Sequence, residues 1–126
     1  MISYGRQHID QNDINSVTRI LKSRLITQGP LVSRFEKELC KETGYKYASA
    51  VSNGTAALHL IGLALGWKNG DIILTTPISF LATSNSIIYS GARPEFVDID
   101  KDFYTIDVEK LEQKIKLLKK NKKKIK

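Results

Sequence analysis

The sequence predicts an α/β domain built on a mostly parallel sheet covered by helices. Short apolar, β-branched runs stand at residues 47–51, 72–75 and 94–99, and segments of helical spacing follow each of them. Gly or Pro marks nearly every junction. From residue 46 the order is therefore strand, helix, strand, helix, strand, helix, which favours parallel strands joined by crossover helices.

Residues 1–10 read as irregular. Asp10 or Asn12 caps a helix over about 13–23, with Ile14, Val17 and Leu21 on one face. Residues 23–29 break that period and form a loop. Pro30 suits the first position of a second helix, which turns Val32, Phe35 and Leu39 to the core and stops at Gly44. Next come the strand 47–51 and a helix from Thr55 to Leu65, closed by Gly66. A turn at 69–71 leads to the strand 72–75, which Pro77 ends. Residues 79–90 fit a helix with Leu81, Ile87 and Ile88 apolar and Gly91 as its stop. After the strand 94–99 and a turn at 100–102, Asp107 caps a last helix with Val108, Leu111, Ile115 and Leu118 at helical spacing. The domain is expected over residues 1–118, and the lysine-rich end, 119–126, as a frayed tail.

Composition narrows the function classes. At 126 residues the chain suffices for one domain with a modest core, and its 41% hydrophobic content is that of a soluble globular protein. No apolar run is long enough to cross a bilayer, and Met1-Ile2-Ser3-Tyr4-Gly5 lacks the basic and apolar regions of a signal peptide. The single Cys40 excludes an intrachain disulfide and reads as a structural thiol on a helix. A cytoplasmic location fits. The formal charge of +7 is concentrated in residues 116–126, which hold seven Lys and no acid; the remainder carries 13 basic and 13 acidic residues. A nucleic-acid or membrane surface is thus not indicated. His8 and His59 stand alone, without a second metal ligand at suitable spacing. Asp98 and Asp100 alternate along a strand end and point to opposite faces, so they do not form an acid–base pair.

One stretch carries chemistry. Val51-Ser52-Asn53-Gly54-Thr55 joins a strand to a helix, aiming the helix's free N–H groups and the positive end of its dipole at one point. Gly54 lets an anion approach the backbone and Thr55 adds a hydroxyl; a phosphate is the fitting ligand. The pattern is neither the Walker motif nor the spaced glycines of a dinucleotide fold. Read by itself, Ser52-Asn53-Gly54 is equally a turn with an N-cap. In parallel sheets ligands sit beyond the carboxyl ends of the strands, so the loops 52–55, 76–80 and 98–100 are expected to line a common cleft.

Five motifs in register resemble the DegT/DnrJ/EryC1/StrS aminotransferases: Tyr4-Gly5-Arg6, Thr27-Gln28-Gly29-Pro30, Gly54-Thr55-Ala56-Ala57-Leu58, Thr76-Pro77-Ile78-Ser79-Phe80-Leu81-Ala82-Thr83 and Phe96-Val97-Asp98-Ile99-Asp100. The resemblance runs to about Lys116, and the Pro-Ile-Ser-Phe form of the fourth motif is similar to the branch that makes 4-amino-4,6-dideoxy nucleotide sugars for pseudaminic acid. It implies the N-terminal part of the fold-type I, aspartate-aminotransferase-like large domain, with pyridoxal 5′-phosphate (PLP) as cofactor. It also implies glutamate as amino donor, a keto-sugar nucleotide as acceptor and a homodimer. Carried over, Gly54, Thr55 and Ala56 hold the cofactor phosphate and Phe80 stacks on its ring. Tyr4, Gly5, Thr27, Gln28 and Gly29 shape the sugar-nucleotide pocket.

Two departures stand out. Asn53 replaces the family's usual Ser, and nothing after Leu118 resembles the regions that bear the pyridine-nitrogen acid and the Schiff-base lysine. The chain alone is therefore expected to be inactive. A phosphate- or nucleotide-binding module, a dimerisation module and a decayed gene fragment are the alternatives to an aminotransferase portion.

Overall fold

The computed structural model describes residues 5–126, which divide after Ala50 into two compact units. In the first unit, α1 (Gln11–Leu21) starts at a reciprocal cap. Asp10 Oδ1 accepts from Asn12 N–H at 2.7 Å and Asp13 N–H at 3.0 Å, while Asp13 accepts from Asp10 N–H at 3.0 Å. The helix α2 (Pro30–Thr43) places Pro30 in its first turn and ends at Gly44, whose φ of +74° is the left-handed conformation that closes helices. Neither helix has a buried residue; the stripes Ile14, Val17, Leu21 and Val32, Phe35, Leu39 are exposed.

Residues 47–51, expected as a strand, are not one. A strand persists only with a neighbour to take its backbone groups, and among the described residues none pairs there. The Ala50 N–H donates instead to the Glu36 carboxylate at 2.9 Å.

The second unit holds the sheet. Its elements in order are α3 (Gly54–Ala64), β1 (Asp71–Thr75), α4 (Ala82–Tyr89), β2 (Arg93–Phe96), α5 (Val108–Lys120) and β3 (Lys124–Ile125). The strands run parallel in the order β2-β1-β3, with Ile72 opposite Arg93 and Thr75 opposite Phe96. Pro94, which has no N–H to give, sits on β2, a strand with one neighbour, where the loss is tolerated. Beyond Phe96 the ladder continues only through the Val97 N–H to Thr75 C=O bond at 2.8 Å, so the strand is shorter than the 94–99 expected. Residues 98–107 then close on themselves through the antiparallel bridge Ile99–Ile106.

The core joins Ile72, Ile73, Ala82, Ile87, Ala92, Val97, Ile99 and Leu118. Helix α4 begins three residues later than the spacing indicated, because residues 80–83 form a tight turn with the Thr83 N–H on Phe80 C=O at 3.0 Å. Of the apolar residues named for this helix only Ile87 is buried; Ala82 and Ser86 accompany it, while Leu81 and Ile88 are exposed. The lysine-rich end also departs from expectation. Helix α5 stops at Lys120, Lys122 turns the chain in the left-handed region, and Lys124 and Ile125 pair with Asp71 and Ile72 rather than fraying.

Gly62 marks where α3 meets the rest of the unit. A Cβ there would lie 2.6 Å from Ser90 Oγ and 2.6 Å from the Trp67 ring, which packs on Ile73, Ile87 and Ala92. Gly62→Ala should therefore destabilise the protein by about 1–2 kcal/mol, overpacking outweighing the gain of about 1 kcal/mol in helix propensity. Urea unfolding of the two proteins checks the sign.

Candidate active site at the helix α3 N-terminus

Asn53 is the N-cap of α3, with extended backbone, and its side chain decides which N–H groups remain free. Asn53 Oδ1 accepts from Ala56 N–H at 2.9 Å, and Asn53 C=O accepts from Ala57 N–H at 3.1 Å. The carboxamide is steadied by a 3.3 Å bond from Nδ2 to Ser52 Oγ. Among the described residues, the N–H groups of Gly54 and Thr55 have no acceptor. They point out of the first turn together with the dipole's positive end.

Gly54 is not in a left-handed conformation, and a Cβ built on it meets nothing within 4 Å. Neither backbone geometry nor packing within the chain explains a glycine there. What it leaves is open space directly over two unfilled donors.

A second feature lies at the carboxyl ends of β1 and β2. Thr76, Pro77, Ser79, Phe80, Thr83 and Phe96 line an open cleft of about 230 Å³. Its hydroxyls are largely committed: Ser79 and Thr83 bond to each other at 2.8 Å, and Thr76 Oγ1 donates to Ile78 C=O at 3.3 Å. Phe80 is 78% exposed, presenting a flat apolar face without a covering partner. Phe96, given no role from the sequence, shares the wall; its signal was its place at the end of β2, beside the end of β1. Of the three loops expected to meet, 76–80 lines this cleft, joined by Phe96 from the end of β2, and residues 52–55 and 98–100 are not among those lining it.

The remaining sequence candidates fall out as follows. Gly5, Thr27, Gln28 and Gly29 lie in the first unit, where Gln28 takes a left-handed φ of +53° and Gly29 caps α2; Tyr4 lies outside the described residues. Asp98 is held below the usual carboxylate range by the Ile99 N–H and by Lys110, whose Nζ is 3.2 Å away, so it stays ionised near neutrality. Asp100 accepts from the N–H groups of Asp102 and Phe103, a turn carboxylate. His59 is half-buried edge-on to Tyr89, with ring centres 5.7 Å apart. No group of three metal-ligating side chains occurs among the described residues, and no helix there is long and apolar enough to cross a membrane.

The parallel sheet with its helices is a fragment of a larger α/β domain, and the solved structures that share its fold are aminotransferases. Residues 7–122 match the DegT/DnrJ/EryC1/StrS aminotransferase family, and the chain belongs to it. Among curated relatives, the UDP-4-amino-4,6-dideoxy-N-acetyl-beta-L-altrosamine transaminase of Campylobacter jejuni is 45% identical over 115 residues, 91% of this chain and 30% of that one. The spore coat polysaccharide biosynthesis protein SpsC of Bacillus subtilis is 42% identical over 111 residues, 88% of this chain and 28% of that one. The chain thus spans about three-tenths of the length of the curated relatives it matches. Among solved structures, the sugar aminotransferase Spr1654 from Streptococcus pneumoniae in its PLP form superimposes with a TM-score of 0.83 at 31% identity, covering 89% of this chain and 29% of that one. Helicobacter pylori PseC, an aminotransferase of pseudaminic-acid biosynthesis, does so with 0.78 at 34%, covering 88% and 30%.

Replacing the cap separates its structural role from any ligand. Asn53→Ala should cost about 1 kcal/mol of stability, whereas Asn53→Asp, which still accepts from Ala56 N–H, should cost little. Thermal unfolding of the two variants against the parent tests this.

Proposed function

We propose that this chain is the N-terminal portion of a PLP-dependent aminotransferase that moves an amino group from glutamate to a 4-keto-6-deoxy nucleotide sugar, in cell-surface glycan biosynthesis. The observation that carries the reading is the start of α3: two main-chain donors without an acceptor beneath a glycine that leaves the approach open. Membership of a family with PLP- and PMP-bound relatives supports the cofactor. These residues fit a phosphate monoester. Gly54 and Thr55 would give main-chain N–H groups and the Thr55 hydroxyl a further bond, while Ala56 N–H is already taken by Asn53 and contributes only if that cap yields. Phe80 would cover one face of the pyridine ring and leave its edge free for hydrogen bonds.

PLP, when bound, supplies the electron sink for moving an amino group. Tyr4, Gly5, Thr27, Gln28 and Gly29 are proposed for the sugar-nucleotide pocket of a cytoplasmic homodimer. Four lysines of the last helix and strand are engaged in ion pairs: Lys110 with Asp98 and Asp107, Lys114 with Glu95, Lys116 with Glu112, and Lys124 with Asp71. Lys119 and Lys120 close a helix and do not stand on a strand-end loop, so the 126-residue polypeptide by itself should not transaminate. No observation favours a bare binding module over this reading.

The test is the ranking of PLP dissociation constants in a chain of the relatives' full length that carries this segment. Thr55→Val should weaken binding by about 1.5–3 kcal/mol, one hydrogen bond to a charged group. Gly54→Val should weaken it more, by blocking two such donors, yet leave folding nearly intact because its backbone is not left-handed. Phe80→Ala should cost about 0.5–1.5 kcal/mol beyond the lost contact area. Unchanged affinity in all three, corrected for folded fraction, contradicts the phosphate cradle.

A further inference from the structure

The first turn of α3 presents three main-chain N–H groups, and they are not in the same state. Those of Gly54 and Thr55 have no acceptor among the described residues, while the Ala56 N–H is held by Asn53 Oδ1 at 2.9 Å. What holds it is local. Asn53 has an extended backbone with φ −168°, and its carboxamide rests on one further bond, Nδ2 to Ser52 Oγ at 3.3 Å. Ser52, Asn53 and Gly54 are all exposed, so no packing locks the side chain in place. Opening such a cap forfeits the net worth of a single hydrogen bond, since water replaces the lost partner.

A phosphate monoester makes a larger demand than the two free donors meet. It carries three terminal oxygens and close to two negative charges near neutrality. Two N–H groups and the Thr55 hydroxyl do not exhaust those acceptors. The next donor in the same turn is the Ala56 N–H, and a phosphate takes it only by lifting Asn53 away. Bonds from N–H groups to an ionised acceptor are roughly twice as strong as neutral ones, so the phosphate wins that exchange. We propose that Asn53 is a built-in competitor of the cofactor phosphate: it caps α3 while the cradle is empty, yields the Ala56 N–H on binding, and so holds cofactor affinity below what three donors would give.

The inference rests on the phosphate-cradle reading above and adds a sign to it: a side chain adjoining the site weakens binding by its presence. Asn53 acts through the Ala56 N–H and is a positioning residue. Its neutrality matters as much as its acceptor. A carboxylate at this position would cap the helix equally well, yet it would grip the Ala56 N–H through a charge-assisted bond and repel an arriving dianion. The amide therefore satisfies the empty helix start with an acceptor weak enough to be displaced.

Equilibrium titration with PLP, and separately with inorganic phosphate, of a chain of the relatives' full length that carries this segment tests the proposal. Asn53→Gly removes the acceptor, suits the extended backbone and costs the helix little, so it should bind both ligands about two- to tenfold more tightly, the scale of one net hydrogen bond. Asn53→Ala, also without an acceptor, should tighten binding to a similar extent despite its lower melting temperature, which separates competition from the backbone freedom of Gly. Asn53→Asp should melt with the parent yet bind both ligands at least roughly tenfold more weakly. A purely structural cap predicts the reverse for the first two variants, since a loosened helix start holds a ligand less well. Weaker or unchanged binding in Asn53→Gly and Asn53→Ala overturns the proposal. If Thr55→Val still weakens binding in that case, the cradle stands and the competition alone fails; if the parent binds neither ligand, both fall.

Discussion

The second unit depends on keeping β1 paired along both edges. A strand in the middle of a sheet must place every N–H and C=O on a neighbour, since water is not available to take them. On one side β2 does this over four register pairs; on the other, β3 does it over two. Of the apolar side chains of β1, Ile72 and Ile73 are buried and Leu74 is half-buried, and Ile87, Ala92 and Trp67 pack against Ile73. The charged residue of the strand, Asp71, is placed at its end, where cations from β3 reach it. Burial, ladder and charge thus agree on one register. A slip by one residue would part Asp71 from Lys124.

That arrangement sets the chemistry of the unit's ends. The amino end of β1 is sealed by carboxylate and lysine, whereas the carboxyl end opens into a loop whose Pro77 cannot extend the strand. Phe80 and Phe96 stand exposed there because the chain turns before either can be covered. The helix α3 start offers the complementary property, unfilled donors in place of apolar surface. An aromatic wall and an anion-receptive helix start are what a flat phosphorylated ring requires. Asn53 adds a restraint of its own. By occupying Ala56 N–H it reduces the donors on offer from three to two, which a Ser at that position would do with a shorter, more mobile side chain.

Helices were legible from spacing, because caps and stops are local chemistry: Asp10, Pro30, Asn53 and Asp107 each begin a helix within two residues of the place the pattern indicated. Strands were legible only where a partner existed. Residues 47–51 have strand composition but no neighbour to bond, and propensity without pairing does not make a sheet. The end of the chain failed for the converse reason. Lysines read as solvated when taken alone, and only the burial of Asp71, more than fifty residues earlier, gives two of them a structural task. In the site, the glycine and threonine were visible as residue types, but the filling of Ala56 N–H depends on a rotamer of Asn53 that spacing does not reveal. Gly54 is not left-handed, so the openness there reflects space and not backbone conformation.

The most direct measurement on the anion cradle is an amide chemical-shift titration of the chain with PLP, with inorganic phosphate in parallel. The expected result is saturable shifts largest at the Gly54 and Thr55 amides, smaller at Ala56 while Asn53 caps it, and none at the start of α5, where the negative charge of the Asp107 carboxylate repels an anion. Shifts that spare Gly54 and Thr55, or that appear equally at every helix start, would contradict a phosphate site at α3.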